Sequence, residues 1–343
     1  MPLIPNKREF LARRSRDAGL LALIERLARR PGLLVLTYHR IGDPASQPYY
    51  GPVASATVES FEAGLRALRR THRVIGQDEL VALADGGFNA TEPLALVTFD
   101  DGYRDNHDAA LPVLKSLGVP ATFFLPTAFF QEPGLPWWDH IAYVIRHATV
   151  PVLRLTRPEP MEVDLRGTSL ADAISRVVWS YFNNLGVDER AFRSELEDRA
   201  GVAVDESALG RALFMTWDQA RDLVSTGMSV GSHSQTHHDL GRLAEDEQRA
   251  ELVESKRILE RELGREVVTF AYPYGWPGTF DSTTTRLTRE AGYRVAFSSL
   301  EGVNRPGSTD PYAVRRLGIG FADSTVLLRA RWALHESIGR SFL

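Results

Sequence analysis

Two adjacent carboxylates and two histidines four positions apart are the residues of this chain whose types and spacing point to chemistry. Asp100 and Asp101 close an apolar run, Leu94 to Phe99, that reads as a buried strand stopping at Gly102. Like charges side by side at a strand end are costly unless something positive holds them. His233 and His237, within His-Ser-Gln-Thr-His, close a second apolar run, Met228 to Ser232. One Asp and two His with an open coordination position suit a divalent cation that polarises a carbonyl and activates water. The second Asp is then free to act as a base. Taken singly, an Asp-Asp-Gly turn is a polar strand exit and a His-x-x-x-His pair is a solvated helix face. Parallel α/β folds gather functional groups at the carboxyl ends of their strands, and both motifs follow strand-like runs. Together they point to a metal-dependent hydrolase.

Thr98-Phe99-Asp100-Asp101-Gly102 comes first in the chain. Next is His233-Ser-x-Thr-His237 with Leu240 after it, then Phe270-Ala271-Tyr272-Pro273-Tyr274-Gly275. In order and spacing these resemble three motifs of the polysaccharide deacetylases, the NodB-homology proteins of carbohydrate esterase family 4. Leu36-Thr37-Tyr38-His39-Arg40-Ile41 is similar to the first strand of one branch of that family. The resemblance spans about residues 33 to 320. It implies an α/β fold, a distorted (β/α)7-type barrel, with one divalent metal and an activity that removes N-acetyl groups from amino sugars of a polysaccharide, oligosaccharide or lipid-linked glycan. The alternatives are hydrolysis of a non-sugar amide or an O-acetyl ester, or a sugar-binding homologue with weakened catalysis.

Carried over residue by residue, the resemblance makes Asp101, His233 and His237 the metal ligands and Asp100 the base. It makes the backbone N–H of Tyr274, after Pro273, a donor to the oxyanion. Zinc is the expected cation, and cobalt, nickel or manganese suit the same donors. His238 adjoins His237, and the family register selects His237. Two positions depart from the pattern. The arginine that orients the base is Ala271 here, and the histidine that protonates the leaving amine falls at Gly320. His39, at the end of the first strand, is the expected substitute acid. Arg316, rather than Arg315, is the expected partner of Asp100. Trp137 and Trp138 open an insertion, where they either plug it or offer indole faces to sugar rings.

The remaining sequence bounds these readings. The chain has 343 residues, net charge −4 and no cysteine. The charge argues against nucleic-acid binding, and any metal must be held by oxygen and nitrogen. No apolar stretch approaches the roughly 20 residues that span a bilayer. Charges at Arg13, Arg14, Arg16 and Asp17 interrupt any leader-like core, so a cytoplasmic location is expected. Residues 1–30 are expected to carry a basic amphipathic helix that covers the barrel or touches a membrane surface peripherally. Residues 31–343 are expected to form one barrel domain of alternating strands and helices, with an insertion after the third strand, at about 131–213. That insertion reads as a hairpin around Pro158 followed by two helices, from Ser169 and from Asp188.

Overall fold

The computed structural model describes residues 30–338 and, ahead of them, 12, 14, 19 and 21–23, with side chains through 333. The helix and membrane contact expected within residues 1–30 lie outside the described residues, apart from those few positions. No helix among the described residues is long and apolar enough to cross a membrane.

Contacts divide the chain into two compact units. One comprises Met1–Gly42, Ser55–Gln131 and Met215–Leu343; the other comprises Asp43–Ala54 and Glu132–Phe214. The expected insertion coincides with the longer piece of the second unit. The shorter piece carried no sequence signal of its own.

The first unit is built on a parallel sheet. Its main path uses seven strands: β1 (Gly32–Tyr38), β2 (Pro93–Phe99), β3 (Thr122–Leu125), β4 (Ser229–Ser232), β5 (Thr269–Ala271), β6 (Val295–Phe297) and β7 (Leu317–Gly318). They lie in the order β6-β5-β4-β3-β2-β1-β7, and a short strand, Arg73–Val74, pairs alongside β2. All these pairings are parallel. Such strands are covered on both faces, which is why they read as unbroken apolar runs rather than alternating ones. In β1 every residue is buried. Val314 bridges to Phe297 of β6, and Leu317 pairs with Leu36 of β1, so residues 314–318 join the two ends of the path. This is the expected barrel.

One helix was missed between the first two strands, Gln77–Asp85, where Gly76 supplies no side-chain cap. Asn106 to Leu117 opens with a wide π turn, Asn106–Ala110, before the regular helix Leu111–Leu117. A Thr216/Gln219 capping box starts helix Trp217–Ser225.

The second unit holds an antiparallel hairpin, Val152–Leu155 with Met161–Asp164, and the two expected helices, Leu170–Asn183 and Glu189–Ala200. Two more helices were not anticipated. Glu206–Leu213 is one. The other is Trp137–His147, which carries both tryptophans. Its first-turn polar residues mislead because Asp139 and His140 are themselves buried and bonded, Asp139 accepting from the Tyr50 N–H at 2.8 Å.

Candidate active site

Strand alternation does the first part of the positioning. Tyr38 and Phe99, which end β1 and β2, and Phe123 of β3 lie on the helix-covered face, and their rings stack in turn at 5.5 and 4.7 Å. Successive side chains point to opposite faces, so His39 and Asp100, one residue later, turn toward the barrel interior with Phe124. Arg316 is directed the same way by its place between Arg315 and the outward Leu317. Its guanidinium lies 5.8 Å from the Phe124 ring and 6.0 Å from the Phe297 ring.

Asp101 escapes the alternation through its backbone. Its φ is +71° and that of Gly102 is +70°, a left-handed turn that folds the chain back over the barrel mouth. Only glycine fits the second position, since a Cβ there would lie 2.8 Å from the Phe130 ring. Five non-glycine residues among those described adopt positive φ. Four of them, Asp101, Ser234, His237 and Tyr274, belong to this one site. Strain of this kind persists only where its surroundings over-determine it.

The side chains then converge. His233 Nδ1 donates to the Ala271 carbonyl at 2.7 Å; a carbonyl only accepts, so the proton sits on Nδ1 and Nε2 is left facing the cluster. Nε2 of His233 and of His237 lie 3.4 and 3.3 Å from the same oxygen, Asp101 Oδ1. That oxygen is buried and takes part in no well-formed hydrogen bond. Ligands about 2 Å from a shared tetrahedral centre stand about 3.3 Å apart, so this separation fits a cation held in common. An orphaned carboxylate oxygen facing two imidazole nitrogens is also the electrostatic setting that a cation relieves.

Asp100 has a different environment. Arg316 Nη1 donates to its Oδ1 at 2.8 Å, with both side chains almost fully buried. Its Oδ2 lies 4.0 Å from His233 Nε2 and so faces the cluster. Burial pushes the Asp100 carboxyl up, but Arg316, His233 and His39 together hold it below the usual carboxylate range. Asp101 is also pushed up by burial and held well below that range by the two imidazoles beside it, His233 and His237. Burial draws His233 down, yet the two aspartates raise it overall. For His237 burial outweighs the aspartates and holds the ring below the ordinary imidazole value.

His39 and the 270s loop complete the rim. The His39 N–H donates to Ser55 Oγ at 2.9 Å, and its carbonyl accepts from Asn106 Nδ2 at 2.5 Å. Asp105 takes the Ile41 N–H at 3.0 Å and pairs with Arg40 at 3.1 Å. Asn106 and Asp105 were invisible in the sequence because they read as the start of an ordinary helix. The Tyr274 ring lies 5.2 Å from that of His237, and Pro273 is buried. Trp276, two residues on, is 48% exposed and carried no sequence signal.

Other candidates go elsewhere. His238 is exposed and its Nδ1 is in close contact with the Thr236 hydroxyl. The Arg315 guanidinium donates to the Glu301 carbonyl. Trp137 and Trp138 pack edge to face at 5.3 Å, and Trp137 meets Tyr181 at 5.0 Å, so both are interior to the second unit's helices. His140, Glu197 and Glu206 also gather in that unit. Glu206 is already occupied there by His140 Nδ1 at 2.5 Å, Arg193 at 2.7 Å and the Leu135 N–H at 2.7 Å. Only two donors remain for a cation, and the group is an ion-pair network.

Comparison with known proteins adds the family context. A family model described as polysaccharide deacetylase matches residues 88–296. The Bacillus subtilis (strain 168) protein YxkH, named as a candidate polysaccharide deacetylase, is 19% identical over 271 residues. That alignment covers 79% of this chain but 65% of YxkH, just under two thirds of its length. Among solved structures, the Streptococcus pyogenes deacetylase PplD in complex with acetate superposes with a TM-score of 0.58 at 17% identity, covering 88% of this chain and 99% of PplD. IcaB from Ammonifex degensii gives 0.55 at 22% identity, covering 89% and 98%. These likenesses establish a shared fold.

Proposed function

The chain belongs to the polysaccharide deacetylase family, and on that premise we propose that it hydrolyses N-acetyl groups from amino sugars of a polysaccharide, oligosaccharide or lipid-linked glycan. The observation that carries the reading is the convergence of two imidazole nitrogens on the orphaned Asp101 Oδ1, with Asp100 beside them on its own arginine. Asp101, His233 and His237 hold the cation, which we take to be zinc. When bound it supplies Lewis acidity to the acetamide carbonyl and lowers the pKa of water.

Asp100 is the base. Arg316 claims Oδ1, so Oδ2 is the atom presented to a water at the cluster. It accepts the proton as the water oxygen bonds to the acetamide carbon. The backbone N–H of Tyr274 donates to the negative charge that develops on the carbonyl oxygen. His39 gives a proton to the nitrogen as the C–N bond breaks, and the products are acetate and a free amine. With Gly320 in the family's acid position, no imidazole is supplied from the last strand. Trp276 offers an open indole face on the same rim for a sugar ring.

The test is acetate release from N-acetylglucosamine oligomers by purified protein. Activity should be lost to a chelator and return with zinc. Release that persists after exhaustive chelation removes the metal-dependent reading. No release from any glycan, alongside turnover of a simple acetyl ester, removes the sugar.

A further inference from the structure

We propose that Glu251 is a positioning residue that holds the two histidines in register for the cation. This deepens the metal-site reading and rests on it. The loop from His233 to His237 is a costly piece of backbone, since Ser234 at φ +66° and His237 at +63° both lie in the left-handed region. Glu251, on helix Glu245–Leu263, reaches under it. Its Oε2 accepts from the N–H groups of Gln235 and Thr236 at 2.8 and 2.9 Å, and its Oε1 accepts from the Thr236 hydroxyl at 2.5 Å. One carboxylate thus binds two of the three residues between the histidines and ties the loop to a long helix.

The rest of the loop is fastened more lightly. Ser234 Oγ accepts from the His237 N–H at 3.0 Å, and the carbonyls of Ser234 and Gln235 accept from Thr127 and Ala128 at 3.3 and 2.8 Å. Glu251 is 8% exposed, and among the described residues it forms no ion pair with a basic side chain. A buried carboxylate without a cation is tolerated only where donors converge on it.

Zinc affinity measured by competition with a chromophoric chelator tests this, because it needs no substrate. Glu251→Ala should weaken affinity by about 10–100-fold, the loss seen when residues that orient metal ligands are removed. Glu251→Gln keeps the shape and one accepting oxygen, and should recover most of that loss. Thr236→Val, which removes one of the three bonds, should fall between wild type and Glu251→Ala. Amide exchange at Gln235 and Thr236 in the metal-free protein should quicken in Glu251→Gln, which provides a reading if the alanine variant does not fold. If Thr236→Val binds zinc within about twofold of wild type and Gln235 and Thr236 exchange as slowly in Glu251→Gln as in wild type, the carboxylate serves only the fold. Wild-type protein that takes up no divalent cation overturns the site reading itself, and the role of Glu251 with it.

Discussion

Arg316 and Asp100, 216 residues apart, form a buried ion pair of 2.8 Å across the barrel mouth. The guanidinium also donates through Nε to the Ser298 carbonyl at 2.9 Å, so it is fixed from two sides before it meets the carboxylate. The family's orienting arginine would stand at position 271, where this chain has a small interior alanine whose carbonyl orients His233. Here the guanidinium beside Asp100 comes from Arg316, immediately ahead of β7.

Replacing Arg316 by Leu should therefore act on both stability and rate. Removing one partner of a buried pair strands the other, at a cost of about 3–5 kcal/mol. Arg316 helps to hold the Asp100 carboxyl low, so its loss should raise that carboxyl and move the acid limb of kcat/KM to higher pH. Arg316→Lys keeps the charge and should show the smaller shift. Thermal melts and pH–rate profiles measure the two effects; an unmoved acid limb argues that Asp100 is not the base.

Asp100→Asn preserves shape and removes proton acceptance. It should retain bound zinc and lose about 10²–10⁴ in turnover, the usual weight of general-base catalysis. Metal analysis and single-turnover kinetics on the same preparation separate the two. A variant within about tenfold of wild type, well short of that range, reassigns the role.

The two neighbouring histidines differ in burial, and their variants should differ in metal content. His237→Ala should empty the site, whereas His238→Ala should leave it filled, since His238 is exposed and its Nδ1 contacts Thr236. Elemental analysis after dialysis decides, and the reverse result means that the ligand register is off by one.

If His39 is the acid, His39→Ala should lower kcat by about 10²–10⁴ on an amide with metal retained, and by much less on an activated ester whose leaving group needs no proton. Gly320 has a negative φ, and the atom nearest to a Cβ placed there is 3.7 Å away, so a side chain fits. Adding Gly320→His to His39→Ala should therefore recover at least about tenfold of the lost kcat. Equal losses on amide and ester, with no recovery, would show that the proton comes from elsewhere.

Glu206 offers a test in the second unit. Burial pushes its carboxyl up, but the bond from His140, the Arg193 charge and the Leu135 N–H pull it down to about 2, from an ordinary 4.5. A depressed carboxyl contributes stability that is present above its unfolded value and is lost as pH falls toward the folded one. Wild type should exceed Glu206→Gln by about 1–2 kcal/mol near neutral pH, allowing for solvent screening of a partly exposed side chain, and the gap should close between about pH 4.5 and 2. Urea titrations across that window check it; a gap constant with pH contradicts the ion-pair account.

The sequence by itself determined the strands and the residue types gathered at the site. Runs such as Leu94 to Phe99 are apolar throughout because both faces of a parallel strand are buried, and that pattern is local. Asp100, Asp101, His233 and His237 were legible because they follow such runs at strand ends. Arg316 over Arg315 was legible too, from the two-residue period of a strand. Tertiary structure decided the rest. Asp101 faces His233 and His237 only because of left-handed backbone at Asp101 and Gly102, held by a close approach of Phe130. Asp105 and Asn106 act through a π turn that has no distinctive spacing, and Glu251 acts from the middle of a polar helix that reads as solvated surface. Sequence left Trp137 and Trp138 as either a plug or a pair of open indole faces, and the fold packs them against other helices. In each case the deciding contact joins residues far apart in the chain, and no periodicity of the local sequence encodes such a contact.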